Sequence, residues 1–136
     1  MKVLVTGAGG FLGRHLASSL LERGVTDLRL HYRRRPPAGF IESLRERHPQ
    51  ARIEPAFANL AHRRGIDDII GDADTIIHAA AGMRGAVADM FASSVIGTRN
   101  LVEGAVARGI KRIVLVSSFS VYRTGELPRL ALLDES

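Results

Sequence analysis

Apolar residues along the chain alternate between short continuous runs and stretches with helical spacing. Lys2 to Thr6 reads as a buried strand. Phe11 to Arg23 follows with Leu12, Leu16 and Leu20, and Ala17 and Leu21, at i+4 spacing, which predicts a helix stopped by Gly24. Leu28 to Tyr32 is a second strand, ended by Arg33-Arg34-Arg35 and by Pro36-Pro37, which cannot continue a ladder. Gly39 to His48 is a short amphipathic helix with Phe40, Ile41 and Leu44 on its apolar side. Arg52 to Phe57 is a third strand, and Pro55 assigns it to a sheet edge. Arg63 to Ile70 reads as a helix and Thr75 to Ala79 as a fourth strand. Ala86 to Arg108 is a long helix with Val87, Phe91, Val95, Thr98, Val102 and Ala105 along one stripe. Arg112 to Ser117 is a fifth strand, and its run Ile113-Val114-Leu115-Val116 predicts burial on both faces.

Strand and helix in alternation, joined by right-handed crossovers, give an α/β fold with a doubly wound parallel sheet of order 3-2-1-4-5. Between the first strand and the first helix lies Thr6-Gly7-Ala8-Gly9-Gly10-Phe11-Leu12-Gly13. A glycine pattern at that junction is the fingerprint of a Rossmann-type dinucleotide site. Gly7 permits the tight exit from the strand, Gly10 lets backbone approach a pyrophosphate, and Gly13 lets the helix pack against the sheet. The helix N-terminus, opening at Phe11 and Leu12, offers unpaired N–H groups and a partial positive charge to phosphates.

Composition narrows this picture little. The 136 residues suffice for one domain with a real core, and no apolar run is long enough to span a membrane. The absence of cysteine excludes disulfides and thiolate zinc sites, so no metal is expected. Val3-Leu4-Val5 is too short for a signal-peptide core, and a cytoplasmic location is expected. The net charge of +5 comes almost wholly from arginine, since Lys2 and Lys111 are the only lysines. Arginine suits an anionic ligand, but the basic residues are dispersed with few aromatics among them, and no nucleic-acid partner is expected.

The Thr-Gly-x-x-Gly-x-x-Gly spacing resembles the extended short-chain dehydrogenase/reductase family, the branch with NAD-dependent epimerases and dehydratases. Asp74 to Ala81 is similar to the family's fourth strand, Gly97-Thr98-Arg99-Asn100-Leu101 to the following helix, and Val116 to Tyr122 to the end of its fifth strand. The resemblance implies hydride transfer between nicotinamide and a carbonyl or hydroxyl carbon of a polar small molecule, a nucleotide sugar being one candidate. It implies that Asn59-Leu60 lies near adenine, where the family commonly has aspartate. It places Ala79, Ala80 and Ala81 beside the ribose and nicotinamide, and Ser118 at the serine that bonds the reacting oxygen. It also implies a homodimer built through the 86–108 helix. His78 reads as a structural strand-end histidine rather than a catalyst.

Two departures stand out. NAD-binding units carry an acidic residue about 20 positions past the glycines, whereas arginine there accommodates a 2′-phosphate. This chain has His31, Tyr32, Arg33 and Arg34, which favours NADP over NAD, with Arg33 first, Arg34 second and Arg14, just after the glycine turn, third as partner. The family's Tyr-x-x-x-Lys pair is absent: Tyr32 is followed by Pro36 at the lysine position and Tyr122 by Glu126. Ser94 stands where the family usually has asparagine. The chain is therefore expected to be the cofactor-binding half of a larger enzyme, an incomplete form of the family fold. Residues 1–123 would form the dinucleotide-binding domain, and 124–136 a loop or tail leading toward a catalytic part. The alternative is a non-catalytic NAD(P)-binding module or redox sensor.

Overall fold

A computed structural model describes residues 1–83, 85–118 and 121. The tail from Thr124 to Ser136, together with Ser120 and Tyr122, lies outside the described residues. The elements are β1 (Lys2–Thr6), α1 (Phe11–Glu22), β2 (Asp27–Tyr32), α2 (Phe40–Arg47), β3 (Arg52–Phe57), α3 (Ile66–Ile70) and β4 (Thr75–His78). Then come α4 (Val87–Phe91), a π-helical turn (Ala92–Ile96), α5 (Gly97–Ala107) and β5 (Arg112–Leu115). All strand pairings are parallel, and the order is β3-β2-β1-β4-β5. The alternation of strand and helix in the sequence predicts this order, and β3 with its Pro55 lies at an edge.

The central strand has both faces covered, as the uniform burial of Lys2–Thr6 shows. Successive side chains point to opposite faces. Val3 and Val5 join Leu28, Leu30, Tyr32 and Ile53 in a core with Ala17, Leu21, Ile41 and Leu44 from α1 and α2. Leu4 joins Ile76 on the other face, with Leu60, Ile66, Ile69, Ile70, Leu101 and Ala105 from the α3 and α5 side. Each fully buried aliphatic side chain contributes about 1.5–3 kcal/mol of transfer free energy. At the end where the strands begin, Lys2 Nζ lies 2.8 Å from Asp72, and Arg29 lies 3.1 Å from Glu54. These ion pairs lie at the end of the sheet opposite the glycine turn.

Three expectations need correction. The helix expected over Arg63–Ile70 starts at Ile66, because Gly65, at φ +85°, breaks the backbone before it. The helix expected over 86–108 is interrupted by the π turn over Ala92–Ile96, whose wider winding departs from 3.6 residues per turn. Leu101, Gly104 and Ala105 face the core, while Val87, Phe91, Val95 and Val102 are exposed. The run in β5 is not covered on both faces: Val114 is 46% exposed and Leu115 57%. β5 is an edge strand bonded to β4 alone among the described residues.

Candidate functional site

The strand order reverses direction between β1 and β4, and open parallel sheets bind ligands in the crevice beyond such a point. Gly7 leaves β1 with φ +71°, a left-handed conformation that disfavours any side chain. A Cβ there would lie 2.8 Å from the backbone of Ala80 beyond β4. The two loops therefore touch backbone to backbone at the bottom of the crevice.

The turn then commits part of its own backbone. Ala8 N–H donates to His31 O at 3.1 Å and Gly10 N–H to Gly7 O at 2.9 Å. Gly10, exposed at the mouth, caps α1 with extended backbone and no side-chain hydrogen bond. Its amide serves the turn, so the unpaired donors lie one residue further on than the glycine itself. Arg14 N–H makes the first helical bond, to Gly10 O at 3.1 Å. The amides of Phe11, Leu12 and Gly13 precede it, where a helix supplies no carbonyl. Phe11 is 75% exposed and Leu12 is exposed as well, so their side chains lean out of the way. Gly13 is buried, and a Cβ on it would lie 2.7 Å from Ala8 Cα, which is why α1 can sit directly beneath the turn.

The far wall is the end of β2. His31 donates from Nε2 to Ala58 O at 3.0 Å, which leaves Nδ1 bare, and burial holds its pKa below the ordinary 6.5 against that hydrogen bond. Tyr32 is buried beside Gly9, with its hydroxyl unpartnered among the described residues. Burial first, and Glu42 second, push that hydroxyl up to about 12. Arg33 and Arg34 are exposed. Arg33 Nη1 lies 3.5 Å from Ser93 Oγ, so its guanidinium reaches from the end of β2 to the π turn beyond β4. No carboxylate stands among His31, Tyr32, Arg33 and Arg34.

The remaining candidates divide. Asn59 Oδ1 accepts from Ala61 N–H at 3.2 Å, so its side chain shapes its own turn. The side chain of Leu60 belongs to the second core, and its carbonyl accepts from Asn100 Nδ2 at 2.8 Å. Ala79 and Ala80 are half-buried and Ala81 exposed, lining the β4 side. Val116 N–H donates to His78 O at 3.0 Å, which sets the end of β5 level with that of β4. Ser118, exposed, follows at the same end of the sheet, and its carbonyl accepts from Val121 N–H at 3.1 Å.

His78 is buried, with Nδ1 2.6 Å from Thr6 Oγ1 and Nε2 2.9 Å from Thr98 Oγ1. Burial, aided by the nearby His31, lowers its pKa to about 4, so it is neutral at pH 7. Thr6, Thr98 and Ser93 are site residues that spacing alone does not single out. The β1–β2 and β1–β4 register places Thr6 beside His31 and His78, while Thr98 comes from α5 and Ser93 from the π turn.

Comparison with known proteins fits this geometry. Residues 3–132 match the NAD dependent epimerase/dehydratase family. Sterol demethylase protein B of Methylococcus capsulatus is 34% identical over 122 residues, which cover 88% of this chain and 35% of that protein. A short-chain dehydrogenase/reductase superfamily protein of Agrobacterium tumefaciens, solved with bound NAD, is similar at TM-score 0.75 and 30% identity. The match covers 96% of this chain and 36% of that one. MoeE5, solved with UDP-glucuronic acid and NAD, is similar at TM-score 0.73 and 29% identity, over 90% of this chain and 38% of its own. The chain thus spans little more than a third of the length of these proteins.

Proposed function

Because this chain belongs to the NAD dependent epimerase/dehydratase family, we propose that its crevice seats the diphosphate of a nicotinamide dinucleotide on the Phe11, Leu12 and Gly13 amides. The observation that carries this reading is the uncapped start of α1, set beside the close contact of Gly7 with Ala80. A Cβ at Gly7 would strike the Ala80 backbone and one at Gly13 the Gly7–Ala8 backbone, so the turn can keep this shape only with glycine at both, and the helix terminus attracts anionic phosphate.

Residues 1–123 act as the cofactor-binding unit of a longer oxidoreductase, epimerase or dehydratase. The bound dinucleotide supplies the hydride chemistry; the chain orients it. Ala79, Ala80 and Ala81 pass beneath the nicotinamide side, Asn59 and Leu60 flank the adenine side, and Ser118 bonds the reacting oxygen of a polar substrate. MoeE5, solved with a nucleotide sugar, supports that substrate class. NADP is the preferred cofactor, because Arg33 and Arg34 are exposed where the acidic ribose partner of an NAD site would stand. A second copy packs on the exposed Val87, Phe91 and Val95 face of the 86–108 segment.

The test is a titration of this chain with NADP, NAD and, as control, AMP, followed by thermal unfolding. A ligand at 100 times its Kd adds about 2.7 kcal/mol of stability. The expected result is a rise in Tm with both dinucleotides, larger with NADP. No rise with either would refute the reading.

A further inference from the structure

A one-way hydrogen-bond chain runs under the β4 side of the crevice. Ala80 N–H donates to Thr6 Oγ1 at 3.3 Å, and Thr6 Oγ1 lies 2.6 Å from His78 Nδ1. His78 Nε2 lies 2.9 Å from Thr98 Oγ1, which donates to Ser94 O at 2.5 Å. Both ends are fixed, since a backbone amide only donates and a carbonyl only accepts. With its proton committed to Ser94, Thr98 Oγ1 must accept from Nε2–H. Nδ1 is then bare and accepts the Thr6 hydroxyl proton. Every intermediate group has one orientation, and His78 has one tautomer.

Ser94 closes the circuit by a second route, its Oγ accepting from Gly82 N–H at 2.9 Å. The Ala80 and Gly82 amides are thereby tied to the same residue, one through the relay and one directly. That residue sits within the π turn, and π turns of this kind concentrate at functional sites. The glycine turn, by contrast, holds its own shape through the Gly10 to Gly7 and Ala8 to His31 bonds.

We propose that His78, Thr98 and Ser94 are positioning residues that set the Ala80–Gly82 segment, and with it the nicotinamide side of the crevice, independently of the diphosphate seat. This rests on the dinucleotide reading above. His78 takes no proton from a ligand: it is 2% exposed and both ring nitrogens are engaged.

The experiment measures the Kd of NADPH by its fluorescence and of ADP-ribose by calorimetry, on the whole chain and on T98V, T98S and S94A. ADP-ribose keeps the diphosphate and lacks the nicotinamide. T98V strips the relay of its central hydroxyl at nearly constant volume. NADPH should bind T98V about tenfold more weakly, the scale of a broken buried hydrogen bond, with ADP-ribose within about twofold of wild type. T98S restores the hydroxyl and should restore NADPH binding. S94A, which keeps the relay but loses the Gly82 bond, should show a smaller split of the same sign, and carries the test should T98V fail to fold. An unchanged ratio of the two affinities, or equal loss of both ligands, overturns the proposal while leaving the dinucleotide reading intact. Wild-type chain that binds neither ligand overturns both.

Discussion

Mild acid should destabilise this fold through buried His78, whose protonation sets the size of the effect. Its folded pKa of about 4 lies below the ordinary 6.5, because it is buried and near His31. Unfolded chain therefore binds the proton first as pH falls, and stability is lost between about pH 6.5 and pH 4. Above pH 6.5 the ring is neutral in both states and costs nothing. With these two values the loss from pH 8 to pH 5 is about 2 kcal/mol, a large share of the ~5–15 kcal/mol of an ordinary domain. His31, also lowered by burial, adds in the same direction. Glu54 and Asp72 are held below the usual carboxylate range despite some desolvation, chiefly through Arg29 and Lys2. Their contributions are lost only below about pH 4.5, beneath the pH 8 to pH 5 range of the comparison. The assay is urea unfolding followed by circular dichroism at half-unit steps from pH 8 to pH 5, on wild type and on H78Q. Wild type should lose stability steeply below pH 6.5, and H78Q, starting lower, should fall more gently. Equal slopes for the two proteins would refute the assignment of the effect to His78.

Three further outcomes follow from the same geometry. G7A combines a left-handed backbone with a Cβ 2.8 Å from Ala80, so it should cost about 1–3 kcal/mol in urea unfolding and abolish NADPH binding in a fluorescence titration. R33A should lower NADPH affinity about tenfold and leave NADH within about twofold, because only the 2′-phosphate would use the guanidinium fork; equal loss of both would remove Arg33 from cofactor selection. L101A, at a fully buried position between α5 and the sheet, should cost about 2–5 kcal/mol by chemical unfolding, with no change in the ratio of NADPH to ADP-ribose affinity.

The sheet was legible because its signals are local. Continuous runs such as Val3-Leu4-Val5, punctuated by Gly24, Pro36 and Gly109, report strand and helix without reference to anything distant. The glycine turn was legible for the same reason, as its spacing encodes a tight backbone path. The phase of the 86–108 segment was not. Its stripe presumes 3.6 residues per turn throughout, and a π turn over Ala92–Ile96 breaks that period with no residue type that announces it. The relay was invisible for a different reason. Thr6 and His78 are 72 positions apart and become neighbours only through the β1–β4 register, while Thr98 reaches them from α5. Asn59 is held by its own neighbours, its side chain closing a local Asx turn with Ala61.

The two halves of the crevice are built on different physical terms. On the α1 side, Gly10 forgoes the side-chain cap that a Ser or Asp would supply, worth typically ~1 kcal/mol, and leaves three amides without carbonyls. That side keeps its shape through backbone hydrogen bonds alone, with the amides at the start of α1 open to an anion. On the β4 side every polar group of the relay is satisfied within the chain, from Ala80 to Ser94. That side needs no ligand to be ordered. On the proposed reading, a diphosphate would complete the first half and dock against the second. It follows that substitutions in the glycine turn should affect every ligand carrying a diphosphate alike, whereas substitutions in the relay should discriminate among ligands by what lies beyond the diphosphate.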